Sequence, residues 1–288
     1  MVLTEKITVV VMTRDRSADL RRSLRHHEAP VIVLDNDSST PLAETVAQVR
    51  PDAECLRLPR NLGAVARNIG VRRATTDYVA FADDDSWWAP GSLGRAVAVM
   101  EAHPRLAVLA GKVVVGADQL VDPISVAMAG APLGQDSDLP GPNIAGFLAC
   151  GAVVRRSAFL SVHGFDPVVF FAGEEERLTL DLLSDRWGLA YVDEVVSQHM
   201  PAQRTLAAEA ARRSLLARNA VLTAWMRRPV PVAARRTLRL ARAGADQRAG
   251  VRAALRRMPG ALARRHRVPA HVEEMLRRLE DDRQPPSY

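Results

Sequence analysis

The chain has 288 residues, 48% of them hydrophobic and 25% charged, a composition typical of a soluble globular protein. This length accommodates one large α/β domain with an appendage, or two small domains. No segment approaches the ~20 consecutive apolar residues that cross a bilayer, and the apolar run 7–12 is too short for a signal peptide. We therefore expect a cytoplasmic protein.

The net charge of +6 is unevenly distributed along the chain. Residues 1–200 contain 19 Lys and Arg against 26 Asp and Glu, whereas residues 201–288 contain 20 Arg against 7 acids. An arginine-rich tail on an acidic body faces either an anionic partner, such as phospholipid, nucleic acid or an acidic acceptor, or water as a set of solvated helices. Cys55 and Cys150 lie in apolar, strand-like sequence, and we expect both to be buried free thiols.

Short β-branched runs alternate with helical stretches over the first 115 residues. Continuous apolar runs of four to six residues between helices predict a parallel sheet covered on both faces, hence an α/β fold. The predicted strands are 7–12, 31–34, 54–58, 78–82 and 106–115, and the predicted helices are 18–26, 41–49, 64–74 and 90–102.

The second half of the chain changes character twice. Residues 116–145 collect Gly, Pro and Asp and are expected to form a long functional loop or a lid region. Strands are expected at 149–154 and 189–192, with a helix at 174–183. After Pro201 the pattern is helical, with breaks expected at Pro229/Pro231, Gly244, Pro259/Gly260 and Pro269. We therefore place a domain boundary near residue 200, between an α/β domain at 1–200 and an Arg-rich helical region at 201–288.

Polar residues follow the predicted strands, and ligands in open α/β sheets lie beyond the carboxyl ends of the strands. Asp83, Asp84 and Asp85 are the most informative of these residues because three adjacent carboxylates repel one another unless a cation neutralises them. Hard divalent ions prefer such ligands, and Mg²⁺ typically combines one or two carboxylates with substrate phosphates. The alternative is a solvated or capping turn before Pro90. The other strand ends carry Thr13-Arg14, Asp35–Ser38 and Arg60–Gly63.

The segment 76–88, TDYVAFADDDSWW, resembles the signature of glycosyltransferase family 2, a family with the GT-A fold, a Rossmann-like, mostly parallel sheet flanked by helices. Further segments resemble the same family in the expected order. They are VVVMTR (9–14), VIVLDNDSS (31–39), RNLGAVARNIG (60–70), GAVVRRSAF (151–159), GFD (164–166) and GEEE (173–176).

The resemblance implies that residues 1–200 form a GT-A catalytic domain with a donor half (about 1–115) and an acceptor half (about 116–200). It also implies that Thr13, Arg14 and Asp35 contact the nucleotide of a nucleotide-diphosphate sugar. A carboxylate at a strand end can accept the imide N–H of uracil or thymine, although Asp35–Ser39 could instead be an Asx-type turn. Asn61, Gly63 and Arg67 would border the nucleoside and diphosphate, with Arg67 equally readable as a surface residue of its helix.

The resemblance also implies the metal ligands and the base. Asp83 or Asp84 would lie near the ribose or the metal, and Asp85 would bind Mg²⁺ or Mn²⁺ directly, with His199 as an additional ligand. An acidic pair opening a helix holds the base that deprotonates the acceptor. Glu175 matches this base and Glu174 its neighbour, with helix capping as the alternative role. Arg177 stands where an acid is common, which leaves both glutamates as candidates.

These roles predict an inverting hexosyl- or deoxyhexosyltransferase that acts on a glycan, a lipid carrier or a natural product. Trp87 and Trp88 are candidates for an acceptor platform or, for one of them, core packing. We expect the helix 205–226 to pack on the catalytic domain, leaving the arginines of 227–267 as a membrane or partner surface at the inner face of the membrane.

Three other functions remain to be compared. A nucleotidyltransferase making the donor should show a Gly-rich loop after the first strand, and residues 13–17 contain no glycine. A nucleic-acid-binding protein would leave the acidic cluster unexplained and should interleave aromatics with its arginines, so no nucleic acid is expected. A catalytically silent sugar-binding relative is the third.

Overall fold

The computed structural model describes residues 5–203 and 205–282. Within them, one mixed sheet is flanked by helices, with strand order β3-β2-β1-β4-β8-β6-β9-β5 and β7 beside β6. The strands are β1 Ile7–Thr13, β2 Val31–Asp35, β3 Glu54–Arg57, β4 Tyr78–Asp83, β5 Ser86–Trp88, β6 Leu106–Val115, β7 Leu120–Val121, β8 Ala152–Arg155 and β9 Gly188–His199. The helices are α1 Ser17–Leu24, α2 Ala43–Val49, α3 Val65–Arg73, α4 Ser92–Ala102, α5 Pro123–Ala129, α6 Arg156–Ser161, α7 Glu174–Ser184, α8 Leu206–Arg227, α9 Val230–Ala243, α10 Ala245–Ala263 and α11 Ala270–Asp282.

The first four strands form the parallel part of the sheet. β2 and β4 flank β1 in parallel, and the pairing sets Thr13 beside Asp35 and Met12 beside Asp83. Residues of β1, β2 and β4 are almost all buried, as expected for strands covered by helices on both faces. The predicted α/β fold is confirmed, and the predicted strand ends meet at one edge.

The remaining strands bring a distant segment to that edge. β8 is antiparallel to β4 and β6, β9 is parallel to β6, and the last residues of β9 pair with β5. Ser86 faces His199 in this pairing, and the Met200 N–H donates to the Asp85 carbonyl at 2.8 Å. The backbone therefore places His199 beside the acidic cluster.

Three apolar clusters stabilise this arrangement. One, around Phe81, Phe159 and Phe165, and a second, around Trp88 and Met100, lie in the body of the protein. A third joins Val168 and Val169 to apolar side chains of α8 and α10, among them Val221, Leu222, Met226 and Ala254. Each fully buried Val, Leu or Met side chain contributes about 1.5–3 kcal/mol. The packing expected for 205–226 is therefore observed for the C-terminal half of α8, which lies against residues 168–169.

Several boundaries differ from the sequence expectation. The region 116–145 includes β7 and α5, residues 149–151 form a 3-10 turn ahead of β8, and β9 continues to His199. The break expected at Pro259/Gly260 is wrong, because α10 runs through Pro259. Met258 and Ala261, on either side of Pro259, belong to the third apolar cluster, and this packing offsets the hydrogen bond that a proline removes.

The other expected breaks coincide with helix ends, and both cysteines are free thiols, Cys150 buried and Cys55 half-buried. Among residues 5–203 and 205–282, no helix combines the length and apolar character needed to span a membrane.

Candidate active site

The acidic cluster forms the turn between β4 and β5. The Ser86 hydroxyl accepts the Asp83 N–H at 2.8 Å, and the Ser23 hydroxyl donates to the Asp84 carbonyl at 2.8 Å. Asp84 and Asp85 are buried, whereas Asp83 is half-buried at the end of its strand. The turn is thus held from two sides, and its carboxylates have fixed directions.

Arg16 supplies the positive charge beside this turn. Its Nε lies 2.8 Å from Asp84 Oδ1 and its Nη2 lies 2.9 Å from Asp85 Oδ2. Burial raises the pKa of Asp84 to about 7, with Arg16 opposing the shift and the neighbouring aspartates adding to it. Arg16 was not among the predicted site residues, although it follows Arg14 by two residues at the same strand end.

His199 is the second partner of Asp85. Its Nε2 lies 3.4 Å from Asp85 Oδ1. Burial opposes both shifts, yet the contact lowers the pKa of Asp85 and raises that of His199. The structure therefore brings together two of the predicted metal ligands, Asp85 and His199, through the β5–β9 pairing.

Within the described part of the chain, no group of three or more His, Cys, Asp or Glu side chains is arranged to hold a metal ion by itself. Asp85 and His199 converge, whereas the third predicted ligand, Asp83, turns to Arg67. A carboxylate and an imidazole suit Mn²⁺ or Mg²⁺ when other oxygens complete the shell. The side chains fit a metal that takes its remaining ligands from a diphosphate.

Arg67 is buried, not on the surface. Its side chain is 2% exposed, its Nη2 contacts Asp83 Oδ1, and its Nη1 lies 3.3 Å from Glu174 Oε1. Burial opposes the charged form, but Asp83 and Glu174 raise the pKa of Arg67. Arg67 thus connects the end of β4 to the start of α7.

Glu174 and Glu175 open α7 as expected. Burial raises the pKa of Glu174 despite Arg67. Burial, and then the neighbouring Glu174, raise the pKa of Glu175 to about 8. Glu174 is engaged by Arg67, whereas Glu175 has no side-chain salt bridge within residues 5–203 and 205–282. Within the same residues, Glu174 is therefore the acid paired with an arginine, and Glu175 is not.

Asp35 has local partners for both carboxylate oxygens. Oδ1 accepts the Ser38 N–H at 2.9 Å, and Oδ2 accepts the Leu42 N–H and an Arg57 N–H, each at 3.2 Å. Arg14 is exposed, and its Nε donates to the Asp37 carbonyl at 3.2 Å. These contacts match the Asx-type turn that was the alternative to nucleotide contact.

Asn36 organises the loop that carries Asn61 and Gly63. Its Oδ1 accepts the Leu62 N–H at 2.8 Å, and its Nδ2 donates to Asn61 Oδ1 and to the Gly63 carbonyl. Gly63 has φ +58°, and a Cβ there would lie 2.5 Å from the Phe170 carbonyl oxygen. The loop therefore requires glycine for its conformation and for the approach of residue 170.

The two tryptophans differ. Trp88 is 2% exposed and its indole N–H donates to the Phe81 carbonyl at 3.2 Å. It has no face open to an acceptor because it belongs to the core. Trp87 is half-buried and stacks on His26 with 4.6 Å between ring centroids.

The chain is similar to a known protein family and to two curated proteins. Residues 8–162 match the family described as glycosyl transferase family 2. Two Pre-mycofactocin glycosyltransferases of Mycobacterium tuberculosis, from strains CDC 1551 / Oshkosh and H37Rv, are 31% identical to the chain over 198 residues, 64% of it. The chain spans 40% of the length of these relatives.

Similar solved structures extend over most of the chain. The mannosyltransferase PcManGT from Pyrobaculum calidifontis, in complex with GDP-Man and Mn²⁺, has a TM-score of 0.58 at 18% identity, covering 97% of this chain and 88% of that one. GalNAc-T7 with UDP, GalNAc and Mn²⁺ gives 0.59 at 15% identity, covering 77% and 48%. TarS of S. aureus with UDP-GlcNAc gives 0.57 at 16% identity, covering 94% and 83%.

These structures have the GT-A fold, and the family match covers more than half of the 288 residues. The predicted GT-A fold with a C-terminal helical extension is confirmed. On these grounds the chain belongs to glycosyl transferase family 2.

Proposed function

We propose that this protein is an inverting glycosyltransferase that moves a sugar from a nucleotide-diphosphate sugar to an acceptor hydroxyl with a divalent metal. The observation that carries the proposal is the connection Asp83–Arg67–Glu174, which joins the acidic turn to the helix that begins with Glu175. This connection supports placing the metal site and Glu175, whose pKa is about 8, in one active site, where the metal assists the leaving group and Glu175 the acceptor.

Asp85 and His199 would hold the metal, with a diphosphate completing its coordination. When bound, Mg²⁺ or Mn²⁺ stabilises the negative charge that develops on a departing nucleoside diphosphate. The neighbouring strand ends carry Thr13 and the loop 61–63, and we assign the nucleoside to them. Asp35 shapes this site through the loop that its carboxylate caps, and Arg14 is exposed at the rim of the site.

On the acceptor side, Glu175 in its ionised form removes the proton of the attacking hydroxyl. The acceptor oxygen forms its bond to the anomeric carbon while the bond from that carbon to the diphosphate oxygen breaks. Because the base and the leaving group act from opposite faces, the configuration inverts. Trp87 is the residue of the pair 87–88 that we place near the acceptor, since Trp88 is in the core.

The test is release of nucleoside diphosphate from a panel of UDP-, GDP- and dTDP-linked sugars, with and without Mn²⁺ and with water as acceptor. A nucleotidyltransferase would instead consume a nucleoside triphosphate and release pyrophosphate, and a silent relative would bind a donor without release. Transfer that keeps the donor's anomeric configuration would contradict inversion.

A peripheral contact with an anionic membrane through the C-terminal helices is the second part of the proposal. Residues 229–272 contain eleven Arg and a single acid, Asp246, which pairs with Arg213 at 2.8 Å. Seven of these arginines make no salt bridge or side-chain hydrogen bond within residues 5–203 and 205–282. They are Arg235, Arg239, Arg242, Arg248, Arg252, Arg256 and Arg267.

Exposed leucines lie between these arginines. Leu238 on α9 is 48% exposed and Leu255 on α10 is 61% exposed. On each helix the exposed Leu and Arg recur at the spacing of one helical face. Apolar side chains flanked by arginines suit a lipid interface better than a nucleic acid. Binding to anionic vesicles tests this part separately from catalysis.

A further inference from the structure

The loop 166–173, which leads into α7, has an unusual backbone. Phe170, Ala172 and Gly173 have φ values of +73°, +71° and +80°. Residues other than glycine rarely adopt positive φ values. Such a conformation persists when surrounding contacts fix it. The loop ends one residue before Glu174, so its shape sets the position of Glu175.

The C-terminal helices supply those contacts. Asn219 on α8 is fully buried, and its Nδ2 donates to the carbonyls of Phe171 and Ala172, each at 2.6 Å. Arg218 donates to the Val169 carbonyl at 3.0 Å and to Asn219 Oδ1 at 2.8 Å. From α10, Arg257 donates to the Val168 carbonyl at 2.9 Å. Side chains of α8 and α10 thus bind the carbonyls of residues 168, 169, 171 and 172 along the loop.

The opposite side of the loop contacts the loop that carries Asn61 and Gly63. The Phe170 carbonyl accepts the Ala64 N–H at 2.7 Å, and Gly63 leaves no room for a side chain against it. The backbone of residues 170–172 therefore lies between residues 63–64 and α8. Both contacts act on the backbone immediately before the helix that begins with the acidic pair.

We propose that Asn219 is a positioning residue for Glu175, so that the C-terminal helical region completes the active site of the family 2 domain. The inference rests on the proposed role of Glu175 as the base. Asn219 lies outside residues 8–162, the part that matches the family. One amide spans two adjacent carbonyls and is itself held by Arg218, so it fixes the loop at the point where φ is positive twice in succession.

The test compares Asn219→Asp with Thr237→Val. Aspartate has the same shape but lacks the amide donor, so it loses both bonds to the loop. Thr237 accepts the Trp225 indole N–H at 3.0 Å between α9 and α8, so its variant removes a half-buried hydrogen bond from the same helices without touching the loop. Donor turnover with water as acceptor gives kcat and KM, and hydrogen–deuterium exchange reports on residues 166–173.

For Asn219→Asp we expect kcat to fall roughly tenfold to a hundredfold, the loss caused by a displacement of about 1 Å at a reacting group. The donor KM should change less than about twofold, because the metal and nucleotide residues are unaltered. Exchange in 166–173 should accelerate, while Thr237→Val stays at parental values. If Asn219→Asp does not fold, Arg218→Met, which removes the Val169 contact and releases the Asn219 amide, should show the same split.

A folded Asn219→Asp with parental kcat and parental exchange would overturn the inference. A rise in donor KM with unchanged kcat would also overturn it, since that result places the loop in donor binding. Glu175→Gln separates the two levels of the argument. If Glu175→Gln turns over like the parent, the assigned base is wrong, while exchange in 166–173 still decides whether Asn219 holds the loop.

Discussion

Arg67 Nη1 lies 3.3 Å from Glu174 Oε1, and the two side chains are 2% and 3% exposed. The sequence alone leaves Arg67 as a diphosphate contact or a surface residue, and Glu174 as a candidate base. In the structure each is the counterion of the other, with Asp83 as the second partner of Arg67. A buried guanidinium tolerates this position only because two carboxylates surround it.

Removing the arginine should therefore destabilise the protein strongly. For Arg67→Met we expect a loss of about 3–5 kcal/mol in the free energy of unfolding, because a carboxylate remains buried without its partner. Glu174→Gln in the Arg67→Met background should recover part of this loss, a coupling that urea denaturation of the double-mutant cycle measures. If the two single losses add, the pair is not coupled.

Glu175→Gln should have the opposite profile, with stability retained and activity lost. Removing a general base typically costs 10²–10⁴-fold in rate, and we expect a kcat loss of about that size for this variant. For Glu174→Gln we expect a smaller loss of kcat than for Glu175→Gln and a larger loss in the free energy of unfolding. Equal kcat losses in Glu174→Gln and Glu175→Gln would contradict the proposal that Glu174 is structural and Glu175 is the base.

The pH profile checks the same residue independently. A base must be ionised, and the pKa of Glu175 is raised to about 8 by burial and by Glu174. Activity should therefore fall as pH decreases through about 8, and level off above it. If activity instead falls only near pH 4.5, the ordinary pKa of glutamate, the base of the active enzyme does not have a raised pKa and the prediction is contradicted.

The sequence predicted the parts of the site that depend on strand ends. Asp83–Asp85 follow a run of buried β residues, and parallel strands bring their carboxyl ends to one edge, so the position of the cluster followed from periodicity. His199 was expected from resemblance. The structure adds that β9 extends to it and pairs with β5, a length that the mixed residues 193–199 did not indicate.

Contacts between side chains distant in sequence were not predictable in this way. Arg16 lies 69 residues from Asp85, and no periodicity reports which way its guanidinium turns. The position of Asn219 against residues 171–172 likewise depends on how α8 packs. Pro259 shows the same limit, because helix packing there overrides a local signal that elsewhere in the tail marked helix ends correctly.

The metal site gives a further prediction. Asp85→Asn should reduce turnover by about three orders of magnitude, a rough size for loss of charge stabilisation at the leaving group, and chelator should abolish parental turnover. His199→Ala should mainly raise the Mn²⁺ concentration needed for half activity, because only one of two protein ligands is lost. Calorimetric binding of UDP and GDP with and without Mn²⁺ provides the check. Turnover indifferent to chelator would contradict the metal role.

Arg16 should compete with a cation for the same carboxylates. In Arg16→Gln, Asp84 and Asp85 lose their guanidinium partner. Because Arg16 is partly exposed, we expect the free energy of unfolding to decrease by about 1 kcal/mol, which lowers the Tm by roughly 2–4 °C. Added Mn²⁺ should then raise the Tm of Arg16→Gln more than that of the parent, measured by calorimetry. An equal shift in both proteins would show that Arg16 does not oppose metal binding.

The exposed arginine faces should control any membrane contact. Neutralising three arginines of α9 to Gln should weaken binding to vesicles containing anionic lipid on the order of a hundredfold, since each arginine near such a surface contributes about 1 kcal/mol. The control removes equal charge from exposed arginines elsewhere on the chain. The test variant changes Arg235, Arg239 and Arg242, and the control changes Arg25, Arg72 and Arg95.

Ionic strength and competing DNA distinguish a membrane surface from a nucleic-acid surface and from a solvated face. Binding through arginines should weaken as ionic strength rises, and Leu238→Ala should weaken it further at high salt, because the apolar contribution is not screened. Duplex DNA can be added to the vesicles at a phosphate concentration equal to that of the lipid. If the DNA displaces the parent protein from the vesicles, nucleic acid is favoured as the partner. If the α9 variant and the control bind vesicles equally, or the parent binds neutral lipid as well as anionic lipid, these arginines are a solvated face.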